Sequence, residues 1–136
     1  MSAARYLRAF GAVMAGLAVS TGCFSDDVDP TAPLPADCQA LAQAAGVGSN
    51  RVVIGIRDFA FIPSEVTVQV GTEVTWVNCE PGGTVGGEHT STADLAGWAS
   101  PLLARGEIFQ HTFTVLGDHT YHCVPHPFMQ AVVTVE

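Results

Sequence analysis

The stretch Val66-Thr67-Val68-Gln69-Val70-Gly71-Thr72-Glu73-Val74-Thr75-Trp76-Val77-Asn78 carries the reading of the fold. Val66, Val68 and Val70 alternate with Thr67 and Gln69, Gly71-Thr72 interrupts, and Val74, Trp76 and Asn78 resume the alternation. A period of two sends successive side chains to opposite faces of a strand. The stretch therefore predicts two short strands joined by a turn, each with one core face. Working outward, the same alternation, punctuated by Gly, Pro, Asn and Asp, predicts strands at 52–56, 89–92, 108–115, 119–123 and 131–135. No long helical period competes with them. The pattern is that of an all-β sandwich of short antiparallel strands.

Two long connections remain, 79–88 and 93–106. The first is rich in glycine and the second carries Leu95, Trp98, Leu102 and Leu103. Loops of that length either carry function or pack over a core edge, and Trp98 favours packing. Ahead of the strands, Asp37 can cap a short N-terminal helix through Ala45, with Cys38, Leu41, Ala42 and Ala45 on one face.

The chain's beginning reads as an export leader over 1–22. Arg5 and Arg8 give a positive start, and the apolar run that follows is too short to span a bilayer as a mature helix. Val19-Ser20-Thr21-Gly22-Cys23 resembles a bacterial lipoprotein box, which makes Cys23 a candidate for lipidation and membrane attachment. Residues 23–36, acidic and Pro-rich, then form a tether, leaving 37–136 as the folded domain. The expected location is outside the cytoplasm, periplasmic or at the cell surface.

Composition narrows the function. Apolar residues make up 48% of the 136 and charged ones 13%, so a packed core rather than disorder is expected. Five arginines face 13 acidic side chains; without Arg5 and Arg8 the remainder is three against 13, a net charge of −10. That balance disfavours nucleic acid and anionic lipid surfaces as partners, since both recruit clustered positive charge.

The chemistry gathers near the C-terminus in Tyr121-His122-Cys123-Val124-Pro125-His126-Pro127-Phe128-Met129. A thiol, an imidazole and a thioether stand at Cys-x2-His-x2-Met spacing in a proline-stiffened loop between two strands. Soft sulfur with imidazole suits copper, and a trigonal site of two His and one Cys with a weak axial Met is the electron-transfer arrangement. His89, early in a strand after the Gly-rich connection, can supply the second imidazole.

On these residues, together with Phe59-Ala60-Phe61-Ile62-Pro63 and the Val66 to Asn78 stretch, the chain from about Arg51 to Glu136 resembles the cupredoxins, the small blue-copper proteins. The short Cys-to-Met spacing is most similar to the amicyanin branch. The resemblance implies a Greek-key β-sandwich of the cupredoxin type and one copper ion bound by His89, Cys123, His126 and Met129. It implies a monomeric electron carrier, not an enzyme, passing single electrons between a redox protein donor and acceptor such as a c-type cytochrome or a dehydrogenase. The alternative is copper binding for delivery or storage without redox cycling. Beyond the initiator only Met14 and Met129 are present, so Met-rich copper handling is not supported.

Against the family pattern, Thr90 stands where Asn often follows the first His, and its hydroxyl is the candidate substitute. His119 stands where relatives commonly have Tyr, so a structural hydrogen bond is expected of it. His111 shares parity with Phe109, Phe113 and Val115 and reads as a core-edge histidine, while His122, opposite in phase to Cys123, faces outward. With Cys23 assigned to lipid and Cys123 to metal, Cys38 and Cys79 are left to pair with each other in an oxidising compartment. If lipidation fails, Cys23 becomes a rival partner.

Overall fold

The computed structural model describes residues 32–49 and 51–136; the leader expected at 1–22 and residues 23–31 of the tether expected over 23–36 lie outside them, whereas Leu34 packs on the fold and Ala36 opens the helix, so the folded domain starts ahead of the expected residue 37. Helix α1 spans Ala36–Ala44, followed by strands β1 Val52–Arg57, β2 Ala60–Ile62, β3 Glu65–Val68, β4 Glu73–Asn78, β5 Thr92–Ala93, β6 Ile108–Thr112, β7 Gly117–His122 and β8 Gln130–Val135. They form two four-stranded sheets, ordered β2-β1-β4-β6 and β3-β8-β7-β5. Alternation predicts strands but is silent on pairing direction. β1 runs parallel to β4 and β3 parallel to β8, so each sheet is mixed rather than wholly antiparallel.

The inward residues of both sheets meet in one core built on aromatic packing. The Trp76 ring stacks on Trp98 at 5.7 Å between centroids and meets Tyr121 edge-on at 5.5 Å, while Phe61 lies 4.7 Å from Tyr121. Trp98 thus closes the core edge from within the 93–106 connection, its indole N–H donating to Ser91 Oγ at 2.9 Å. Burial pushes the Tyr121 phenol well above its ordinary pKa.

One face of β4 was expected to be core, yet from Val74 to Asn78 the strand is buried on both faces. α1 supplies the missing cover: Cys38 and Ala42 pack with Val47, Val77 and Cys79 in a second, smaller cluster. Cys38 and Cys79 form a disulfide that pins the helix to the end of β4. Gly55 of β1 lies directly beneath it, where a Cβ would come within 2.9 Å of both Cys38 Sγ and Leu34 Cδ1. A side chain there would force the helix off the sheet.

Several boundaries differ from expectation for local reasons. Asp37 does not cap α1; Pro35 occupies the cap position without a side-chain bond, and Asp37, in the first turn, pairs with Arg57 of β1. Ala45 is exposed rather than on the buried face. β3 stops at Val68, and Val70 is half-exposed because its N–H has turned to the Glu136 carbonyl at the end of the sheet. β6 stops at Thr112, which leaves Phe113 buried and Val115 exposed.

The two histidines assigned structural roles have them. His111 lies on Trp98 at 5.0 Å with an interplanar angle of 26°, and burial, with His119 nearby, lowers its pKa. His119 donates from Nε2 to the Val115 carbonyl at 2.8 Å, fastening the turn into β7.

Candidate metal centre

Cys123 follows the last residue of β7, and strand alternation turns Tyr121 and Cys123 inward while His122 faces out. His122 binds Asp94 through Nδ1 at 2.5 Å; the Thr120 hydroxyl and this ring hold the Asp94 carboxyl below its usual pKa. The chain then folds into a tight loop before β8. Cys123 N–H donates to Met129 O at 3.1 Å, His126 N–H to Cys123 O at 3.2 Å, and Met129 N–H to His126 O at 2.9 Å. These bonds and the fixed φ of Pro125 and Pro127 give the loop little freedom. Met129 is buried at its base and His126 is partly exposed.

His89 arrives from the opposite direction. In place of the strand expected over 89–92, it forms a two-bond bridge with Leu103, at 3.2 and 2.8 Å, and β5 pairs only later with β7. Its Nδ1 lies 3.6 Å from Cys123 Sγ and 3.2 Å from His126 Nδ1, and His126 Nδ1 is 3.6 Å from the same sulfur. Three electron-pair donors thus converge on one point, all within 4.8 Å of one another. A cation relieves their mutual repulsion, and a thiolate with two imidazoles selects a soft or borderline one, copper above all.

Thr90 ties this segment to the ligand loop as its hydroxyl suggested: Val124 N–H donates to Thr90 Oγ1 at 2.9 Å, and Thr90 N–H to Cys123 Sγ at 3.3 Å. That amide directs its positive end at the sulfur and fixes the direction in which the side chain points. Burial pushes the His89 imidazole below its ordinary pKa, against the attraction of Glu80 and with a further push from His126. A neutral ring is the form that binds metal.

Two contributors had no site role in the sequence reading, Phe59 standing there only within the stretch that carries the family resemblance. Phe59 sits edge-on to both imidazoles, 5.4 Å from His89 and 5.0 Å from His126, on a β1–β2 turn whose Asp58 and Phe59 have φ of 52° and 57°. Glu80 is 1% exposed and its Oε1 lies 3.2 Å from His89 Nε2. Its only linear signal is a place just past β4, nine residues before His89, in a connection whose course composition does not reveal.

The family model of copper-binding proteins of the plastocyanin/azurin type matches residues 49–136. The chain belongs to that family. It is similar to the amicyanin of Paracoccus denitrificans, 33% identical over 137 residues that cover 98% of this chain and 92% of that protein. The amicyanin of Paracoccus versutus is 31% identical over 140 residues, covering all of both. Among solved structures, the reduced state of an amicyanin variant superposes with a TM-score of 0.60 at 32% identity, covering 68% of this chain and 89% of the other. The fold is therefore the cupredoxin sandwich, the cofactor is copper, and the protein is a blue-copper electron carrier rather than an enzyme.

Proposed function

We propose that His89, Cys123, His126 and Met129 bind a single copper ion, through Nδ1 of each imidazole and the two sulfurs, and that electrons pass through the His126 edge of the site. The observation that carries this is the convergence of three donor atoms from two separate chain segments. Met129 adds a buried thioether at the base of the same loop. Copper held there supplies a one-electron Cu(I)/Cu(II) couple. The protein's share is rigidity: the loop bonds, the Thr90 tie and the Phe59 wedge hold the donors in one arrangement, so little rearrangement accompanies electron transfer. Titration of the metal-free protein with Cu(II) is expected to saturate at one equivalent, with an intense thiolate-to-copper absorption. Colourless binding, or saturation at two equivalents, contradicts the ligand set.

Around His126 the surface is apolar. Phe128 is 71% exposed and Val124 is also largely open. Gly86, at φ 72°, brings backbone so close that a Cβ there would stand 3.5 Å from His126 Nε2. Such a patch suits brief docking of a redox protein donor and acceptor, with the net negative charge steering a basic partner.

The ligand assignment makes Pro125 a control on potential. Thr90 supplies the one backbone N–H bonded to Cys123 Sγ among the described residues, and Pro125 has none to give. Replacing Pro125 by Ala opens a second donor, which withdraws density from the thiolate and favours Cu(I). Voltammetry should show a rise on the order of 40 mV, from a hydrogen bond of about 1 kcal/mol in a one-electron couple. An unchanged or lower potential would count against it.

The carrier works outside the cytoplasm on this reading, with 1–22 removed, Cys23 lipidated and the Pro-rich segment ahead of Leu34 tethering a monomeric domain that begins with Leu34 and α1. The lipoprotein-like box and the Pro-rich composition support it. Mass spectrometry of the mature protein should find acyl mass on Cys23. An unmodified product beginning elsewhere would defeat the anchor and leave the copper site untouched.

A further inference from the structure

Glu80 is a buried carboxylate that copper binding does not itself require. It leaves β4 at the start of the Gly-rich connection, where Arg105 Nη1 donates to the carbonyl of Cys79 at 3.0 Å and to that of Glu80. Its backbone N–H donates to Asn78 Oδ1 at 3.0 Å, while Asn78 Nδ2 donates to the carbonyls of Gly87 and Leu103, each at 2.7 Å. The backbone on either side of the carboxylate is thereby fixed. The side chain then does two things with one oxygen: Oε1 accepts the Phe59 N–H at 2.7 Å and faces His89 Nε2 at 3.2 Å.

We infer that Glu80 is the positioning residue of the centre, its carboxylate accepting the Nε2 proton of His89 and so turning an unprotonated Nδ1 toward Cys123 and His126, while its negative charge favours Cu(II) over Cu(I). The inference rests on the ligand set proposed above. A carboxylate is an acceptor only, so a ring nitrogen bonded to it carries the proton and the other presents its lone pair. The same oxygen holds Phe59 in a left-handed conformation that a bulky residue rarely adopts. The ring that wedges against both imidazoles is thus fixed by the group that orients one of them. A fixed negative charge touching a ligand, in a site from which water is excluded, weighs more heavily than an exposed one.

Glu80→Gln tests this in the full copper-loaded protein, because the amide oxygen can still accept from His89 and Phe59 while the charge is gone. The thiolate absorption should persist, and the preference for Cu(II) over Cu(I) should fall about tenfold, an upward shift in potential of about 59 mV for one electron. A blue Glu80→Gln protein with the wild-type potential overturns the inference. Proton and nitrogen NMR of the wild-type Cu(I) form provides a measurement independent of any variant's folding. A His89 Nε2 proton slow to exchange with solvent supports the positioning role, whereas protonation at Nδ1, or rapid loss of an Nε2 proton to solvent, overturns it. Absence of the thiolate absorption in the wild-type protein would instead mark failure of the ligand set itself.

Discussion

Cys123→Ser should abolish the visible absorption of the copper-loaded protein entirely, while Cys38→Ala with Cys79→Ala should leave it in place. The expectation follows from where the three sulfurs are. Cys123 is the one free cysteine among the described residues, buried between two imidazoles 3.6 Å away, and its sulfur accepts the Thr90 amide. Serine is close in shape, so the strands and the loop bonds should survive. Its hydroxyl is a hard donor with a far higher pKa, and it offers neither the soft thiolate that selects copper nor the charge transfer that colours it. Absorption spectra at matched copper loading decide the matter. Colour retained in Cys123→Ser would place the thiolate elsewhere.

Loss of the Cys38–Cys79 disulfide should produce the largest fall in stability of any change remote from the copper. The bond closes a loop with a sequence separation of 41, for which the chain-entropy model gives about 4 kcal/mol. Against a total stability of roughly 5–15 kcal/mol for an ordinary domain, that is a large fraction. The double alanine variant also empties part of the small cluster that covers the outer face of β4, adding to the loss. Urea unfolding of the metal-free protein, with and without reductant, should show the wild-type midpoint drop on reduction and the variant's midpoint not move. A wild-type midpoint indifferent to reductant would contradict the account, and non-reducing peptide mapping should recover Cys38 and Cys79 in one linked pair.

What could be read from the sequence divides along physical lines. Period-two alternation located β1, β4, β7 and β8 within a residue or two, because each buries at least one face and the pattern records that burial. β2 and β5, of three and two residues, are too short for a period to register. Parallel pairing of β1 with β4 and of β3 with β8 left no trace, since alternation is the same whichever way a neighbour runs. Extending β6 to Val115 and β3 to Val70 failed because apolar residues continue past the point where the backbone leaves its sheet.

The site followed the same logic. Cys123, His126 and Met129 could be proposed together because one short loop carries them, and His89 because it stands early in the strand expected after the Gly-rich connection. Glu80 and Phe59 could not be, since what matters about them is created by folding. A carboxylate becomes an orienting group only when burial excludes water from it. Phe59 reaches both imidazoles only because its turn adopts positive φ, held by that same carboxylate.

The proposed electron-transfer role depends on one copper bound among His89, Cys123, His126 and Met129. Diffraction from crystals of the copper-loaded protein, recorded on both sides of the copper absorption edge, tests it most directly. One anomalous peak is expected, within bonding distance of Nδ1 of His89, Nδ1 of His126 and Sγ of Cys123 and beside the Met129 sulfur. A peak elsewhere, at His122 and Asp94 for instance, with Cys123 left unliganded, would contradict it.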